Sequence, residues 1–198
     1  IFCLLVWLFH ARERVFIWFP LVCFSWALYV GIALSTHPVW SLSTATLDRL
    51  HIFIFCIYAV FGCFAAWRFV NQHYPRIEKV LIGFCGVAAI GLCLAPETQL
   101  SIVLQGFFIC AVIIFILKCL SFPFIAYRVK LPEAYLLAAV YLSFFPIAVN
   151  DAYYMITHQG TILSPYTAPL STLFIGVILA LRLSKNAKHI EQFNKTLE

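Results

Sequence analysis

The sequence predicts an all-α fold, a polytopic bundle of transmembrane helices, and three observations support it. First, 64% of the 198 residues are apolar and only 11% are charged, whereas soluble domains are roughly 45–50% apolar and about 25% charged. Second, the 20 phenylalanines and the many leucines and isoleucines exceed what one soluble core can bury, so the surplus must face lipid. Third, long apolar runs alternate with short polar breaks, which leaves room for roughly seven spans of ~20 residues.

The polar breaks define the spans in order. They predict helices at residues 1–9, 15–34, 50–70, 77–94, 100–120, 131–154 and 165–183. Residues 35–49 and 123–130 are predicted as loops. Ser164 followed by Pro165 is typical of an N-cap and a first helical position, which predicts the start of the seventh helix. Because the chain begins at Ile1 inside an apolar run, we expect the first span to be truncated and the chain to be a fragment of a longer protein.

Lysine and arginine positions predict the orientation of the bundle. Of the 13 basic residues, only Arg49 falls in a break on the outer side. The others fall on the opposite side: Arg12, Arg14, Arg68, Arg76, Lys79, Lys118, Arg128, Lys130, Arg182, Lys185, Lys188 and Lys195. We therefore expect a cytoplasmic C-terminus and, with seven spans, an N-terminus outside. The net charge of +5 reflects this topology, and we expect the lipid bilayer, not nucleic acid, as the surrounding partner.

A series of residues spaced alternately four and three apart runs from the seventh span into the tail, which is typical of a coiled-coil seam. All of them except one asparagine are apolar. The seam consists of Leu179, Leu183, Asn186, Ile190, Phe193 and Leu197. We predict a transmembrane domain at residues 1–184 and, at 185–198, the start of a cytoplasmic coiled-coil connector. Asn186, Ile190, Phe193 and Leu197 are its candidate residues, and they favour a homodimer formed through the C-terminal helix. The alternative is an amphipathic tail lying on the membrane surface.

Few polar side chains in the spans are candidates for binding. Asn150 and Asp151 lie toward the outer end of the sixth span, after a kink expected at Pro146. They are candidates for contact with an extracytoplasmic ligand, and the alternative is a helix end that meets water. The outer side also carries scattered metal-ligating residues, namely His37, Asp48, His51, Glu97 and His158. His37 and His51 are fourteen residues apart, a spacing that can bracket a b-type haem within one helix, but the stretch between them is polar, contains Pro38 and is predicted as a loop. The five residues are candidates for a metal site, but scattered polar residues on exposed loops are more often solvated. No catalytic motif is present. We predict no metal, no cofactor and no catalysis by this segment.

Four short segments carry a family resemblance. Residues 12–16 are a basic pair followed by aromatics, and residues 74–81 combine Pro-Arg with an apolar, an acidic and a basic residue. Residues 133–138 contain aromatic-Leu-Leu-Ala, and residues 179–181 lead into a basic helical exit. In these segments the sequence resembles the bacterial seven-transmembrane receptors with diverse intracellular signalling modules. It departs at residues 168–172, where many members carry a glutamate.

The resemblance implies a place in the bacterial inner membrane, an extracytoplasmic sensor domain before Ile1 and an output enzyme after Glu198. In this family the enzyme is commonly a diguanylate cyclase or a histidine kinase. Our first hypothesis is a signal-transducing module that relays an unidentified extracytoplasmic signal to that enzyme. The alternative is a small transporter or permease fragment, for which Pro146 and Asn150 are the only hint. A membrane-embedded lipid or acyl transferase would need carboxylate or histidine pairs that the sequence lacks.

Overall fold

The computed structural model describes residues 15–34 and 42–157, together with residues 159, 161, 163, 174, 176, 177, 180, 181 and 184. The regular secondary structure among these residues is helical, and they contain no strand. The long helices are α1 (Val15–Leu34), α2 (Thr44–Phe69), α3 (Pro75–Leu94), α4 (Leu100–Val129) and α5 (Pro132–Thr157), with a 3-10 turn at Glu97–Gln99. All five are long and apolar enough to cross a membrane, which confirms an all-helical membrane protein for this part of the chain.

Helices α1 to α5 correspond to the second to sixth predicted spans. The first predicted span, most of the seventh, and the connector candidates Asn186, Ile190, Phe193 and Leu197 lie outside the described residues. The number of spans and the orientation of the termini therefore stay predictions.

The loop predicted at residues 35–49 is wrong for residues 44–49, because α2 begins at Thr44. Ser43 is its N-cap: the backbone N–H of Thr46 donates to Ser43 Oγ at 3.2 Å, which satisfies a backbone donor that the first turn leaves free. Asp48 and Arg49 consequently belong to the first two turns of a helix. Hydropathy places the break where polar residues begin, but a helix start depends on its cap.

The loop predicted at residues 123–130 is wrong for residues 123–129, because α4 continues through Pro123 to Val129. A proline removes one backbone hydrogen bond but does not by itself end a transmembrane helix. The helix ends where Lys130 adopts a φ of 57° and its N–H donates to the carbonyl of Ala126 at 2.9 Å. Helix α5 is likewise continuous through Pro146.

A tight turn joins α2 to α3. Asn71 has a φ of 56°, in the left-handed region that asparagine tolerates better than most residues. Its N–H donates to the carbonyl of Arg68 at 3.1 Å, and the N–H of Gln72 donates to the carbonyl of Trp67 at 2.9 Å. This pair of bonds is a Schellman motif. Pro75 then occupies the first position of α3, where a missing N–H costs nothing.

The chain forms two compact units, residues 1–118 and 119–198. In the first unit α2 is the central helix, because 67% of the residues in its apolar segment are buried. The corresponding fractions are 11% for α1, 17% for α3 and 22% for the segment that contains α4. Ring contacts show that α1 runs antiparallel to α2, since Trp18 meets Phe64 whereas Trp26 meets Tyr58. In the second unit, Phe122 of α4 is 1% exposed and packs edge-on against Tyr141 of α5 at 5.1 Å between ring centroids.

Candidate functional site

Asn150 and Asp151 lie next to each other near the end of α5, in the second unit. Asp151 is only 7% exposed, and its Oδ1 accepts hydrogen bonds from the backbone N–H of Leu163 at 2.8 Å and from Asn150 Nδ2 at 3.2 Å. Asn150 Nδ2 also donates to the carbonyl of Thr161 at 3.0 Å. The two side chains therefore attach the segment that follows α5 to the end of that helix. Their contact with a ligand stays a prediction.

Aromatic rings contact one another along the first unit, between α1, α2 and α4. We call them the aromatic cluster: Trp26, Tyr29, His51, Phe55, Tyr58, Phe108 and Phe115. Tyr29 stacks on His51 at 4.3 Å and contacts Phe55 at 5.1 Å. Tyr58 in turn meets Phe115 of α4 at 6.1 Å. Such ring pairs stabilise a packed interface beyond their buried area, so the cluster contributes to the packing of α1 and α4 against α2.

Lys118 lies at one end of the aromatic cluster, and its position differs from the prediction. Lys118 is predicted in a polar break, but the residue is 7% exposed and lies eleven residues before the end of α4. Its Nζ is 4.0 Å from the centroid of the Phe115 ring, a cation–π contact. Ionisable groups inside a membrane bundle are expensive and mark functional positions by default. The sequence feature that indicates this buried position is a lysine inside the apolar run at residues 111–120.

Gly62 of α2 makes the room that Lys118 occupies. A Cβ at Gly62 would lie 3.0 Å from Lys118 Nζ, which is too close for most side-chain contacts. The glycine therefore allows the lysine to lie against α2. This pairing across 56 positions of sequence was not foreseen.

Arg49, the lone basic residue predicted on the outer side, connects α2 to the end of α3. Its Nη1 donates to the carbonyl of Cys93 at 3.2 Å and its Nη2 donates to the carbonyl of Ala95 at 2.8 Å. The last carbonyls of a helix lack intrahelical partners and carry partial negative charge, so a cation is favourable there. Arg49 therefore has a structural role in this position.

Three buried nitrogen atoms in the first unit have no hydrogen-bond partner among the described residues: Trp26 Nε1, Arg49 Nε and His51 Nε2. Trp26 and His51 both contact Tyr29, whereas Arg49 faces the end of α3. The described residues contain no group of three or more side chains suited to a metal ion.

At the opposite end of α2, Arg68 and Glu78 form a bidentate ion pair across the α2–α3 turn. Arg68 Nη1 donates to Glu78 Oε1 at 2.9 Å, and Nη2 donates to Oε2 at 2.8 Å. Nη1 also donates to the carbonyl of Gln72 at 3.1 Å, and Glu78 Oε1 accepts the N–H of Tyr74 at 3.0 Å. With Arg49 at one end and this pair at the other, α2 and α3 are joined at both ends.

A model of the family described as 7TM diverse intracellular signalling matches residues 1–186, nearly the whole chain. The chain belongs to this family. Comparisons with curated proteins and with solved structures found no significant match.

The structure explains one of the segments on which the resemblance to the 7TM diverse intracellular signalling family rests. In residues 74–81, Pro75 starts α3, and the acidic residue, Glu78, holds Arg68 and the N–H of Tyr74. Residues 133–138 form the first turns of α5, where Ala134 and Leu137 are buried. Residues 12–14 of the first segment, and Leu179 of the fourth, lie outside the described residues.

Proposed function

We propose that this chain is the signal-transducing module of a multi-pass sensor in the bacterial inner membrane. The observation that carries the proposal is the family match over residues 1–186, which agrees with five helices able to span a membrane. In the proposal, an extracytoplasmic ligand favours one of two packings of the bundle, and the change passes to a cytoplasmic output enzyme.

The packing of the first unit supports a division between a rigid part and a moving part. Arg49 and the Arg68–Glu78 pair join α2 to α3 at both ends, and the aromatic cluster joins α2 to α1 and α4. Packed interfaces resist small deformations and move as bodies. We therefore propose that α1, α2, α3 and the part of α4 that carries the aromatic cluster move together, and that the seventh helix shifts relative to them.

Signal input is proposed at the end of α5. Asp151 holds the backbone of Leu163, so a ligand that displaced the segment after α5 would compete with this bond. Asn150 and Asp151 are then the ligand-side residues. In the full-length protein, Asp151→Ala should alter the response to the ligand while leaving basal output measurable. An unchanged response would remove Asp151 from the input.

Output is proposed to pass through the C-terminal seam of a homodimer. Asn186, Ile190, Phe193 and Leu197 would continue the seventh helix as a coiled coil, in which a polar core residue such as Asn186 fixes the register. The output enzyme is a diguanylate cyclase or a histidine kinase. The reading frame beyond Glu198 identifies which assay applies, cyclic dinucleotide synthesis or autophosphorylation. A stop codon within a few residues of Glu198 would contradict an output enzyme.

Ile190→Glu in the full-length protein tests the connector. A charge in the seam should weaken dimerisation and change the basal output, because an apolar core position is lost. Gln192→Glu is the matched control, since it adds the same charge at a position outside the seam. If Ile190→Glu left both the dimer fraction in nanodiscs and the enzyme output unchanged, the connector proposal would be wrong.

A further inference from the structure

The exposed face of α3 follows a regular helical spacing. Arg76, Val80, Gly83, Val87, Ile90 and Leu94 recur every four or three residues, and all are exposed. The exposed fractions of Val80 and Leu94 reach 70% and 77%. The buried residues Leu81, Ala88 and Leu92 lie on the other side of the helix. In a bilayer such an apolar face is covered by acyl chains or by another helix.

Gly83 and Gly86 place no side chains on this face. A Cβ at Gly83 or at Gly86 would have nothing within 4 Å, so neither glycine is required by packing inside the chain. Gly83 and Gly86 lie four and seven residues after Lys79, on the same side of the helix. We call the space that the two absent side chains leave on this face the groove; a basic residue lies at its end.

The charge at that end is not neutralised by the nearby carboxylate. Arg76 and Lys79 are exposed, and neither makes an ion pair within the described part of the chain. Glu78 lies between them in sequence, but both of its oxygens accept hydrogen bonds from Arg68, and Oε1 also accepts the N–H of Tyr74. Two positive charges therefore remain where the apolar face begins.

We propose that this face binds an anionic phospholipid. The headgroup phosphate lies between Arg76 and Lys79, and one acyl chain lies in the groove over Gly83 and Gly86. The charge argues against a second copy of the chain as the occupant, because a parallel symmetric contact would bring the same cations together. By the predicted orientation this end of α3 faces the cytoplasmic leaflet, where anionic lipids attract basic residues. The site is independent of the proposed signalling function.

Native mass spectrometry of the full chain in detergent tests the proposal, with phosphatidylglycerol as the probe and phosphatidylcholine as the neutral reference. The double variant Arg76→Gln/Lys79→Gln should weaken phosphatidylglycerol binding by roughly five-fold for each residue, about twenty-five-fold in total. Phosphatidylcholine binding should not change. Gly83→Leu fills the groove without changing charge and should weaken phosphatidylglycerol binding by about three-fold or more.

The matched control is Arg128→Gln/Lys130→Gln, which removes two exposed cations at the end of α4. It should alter phosphatidylglycerol binding by less than about two-fold. An equal loss in the control would overturn the site in favour of unspecific attraction. Competition by millimolar inorganic phosphate, with no effect of Gly83→Leu, would overturn a lipid occupant. A change in dimer fraction with unchanged lipid binding would instead identify this face as a contact between copies.

Discussion

Removing the carboxylate of Glu78 should weaken the α2–α3 pair measurably. The side chains of Arg68 and Glu78 are 13% and 18% exposed, so the pair lies between a surface ion pair, worth about 0–1 kcal/mol, and a buried one, whose disruption costs about 3–5 kcal/mol. Glu78→Ala also removes the acceptor for the N–H of Tyr74. We expect the free energy of unfolding to fall by about 2–3 kcal/mol.

A double-mutant cycle with Arg68→Ala separates the ion pair from other effects of each substitution. Arg68 keeps a bond to the carbonyl of Gln72, so the two single losses will differ. We expect a coupling energy of about 1.5–2 kcal/mol between positions 68 and 78.

Reversible unfolding in mixed detergent micelles, followed by tryptophan fluorescence, measures these free energies. Trp67 is a suitable reporter because its ring lies 5.2 Å from that of Tyr74 in this turn. Glu97→Ala is the control for Glu78→Ala, since Glu97 is an exposed carboxylate in the 3-10 turn. It should change stability by less than about 0.5 kcal/mol. A coupling energy between Arg68 and Glu78 below about 0.5 kcal/mol would refute the assignment of this pair as a structural link.

Two further predictions concern helix packing and the segment after α5. A Cβ at Gly91 would lie 2.9 Å from the Phe107 ring, so Gly91→Ala should destabilise the chain by about 1–3 kcal/mol in the same unfolding assay. Gly31→Ala, which meets nothing within 4 Å, should cause no loss, and equal losses would contradict a close α3–α4 contact. Asp151→Ala should speed hydrogen exchange at the Leu163 amide by about ten-fold or more. Asp151→Asn keeps an oxygen acceptor and should have a smaller effect. Unchanged exchange in both variants would contradict the hydrogen bond between Asp151 and the Leu163 amide.

The sequence alone determined the membrane class and the middle five spans. In lipid each spanning segment must satisfy its own backbone hydrogen bonds, so a long apolar run has to be a helix whatever it packs against. The start of α1 at Val15 and the ends of α1 and α3 at Leu34 and Leu94 agree with the prediction for this reason. The family was also recognisable, because its short motifs are local in sequence.

The tertiary structure alone decided which polar groups meet, and local caps that hydropathy does not detect decided where α2 begins and where α4 ends. Ser43 caps α2 within a polar run that hydropathy treats as a loop, and Lys118 is buried against Gly62, which is far away in sequence. Asn150 and Asp151 are adjacent in sequence, but the segment that they hold is known only from the folded chain. Hydropathy depends on the composition of one segment. A cap depends on the local backbone geometry at a helix end, whereas ion pairs and buried charges depend on the geometry between segments.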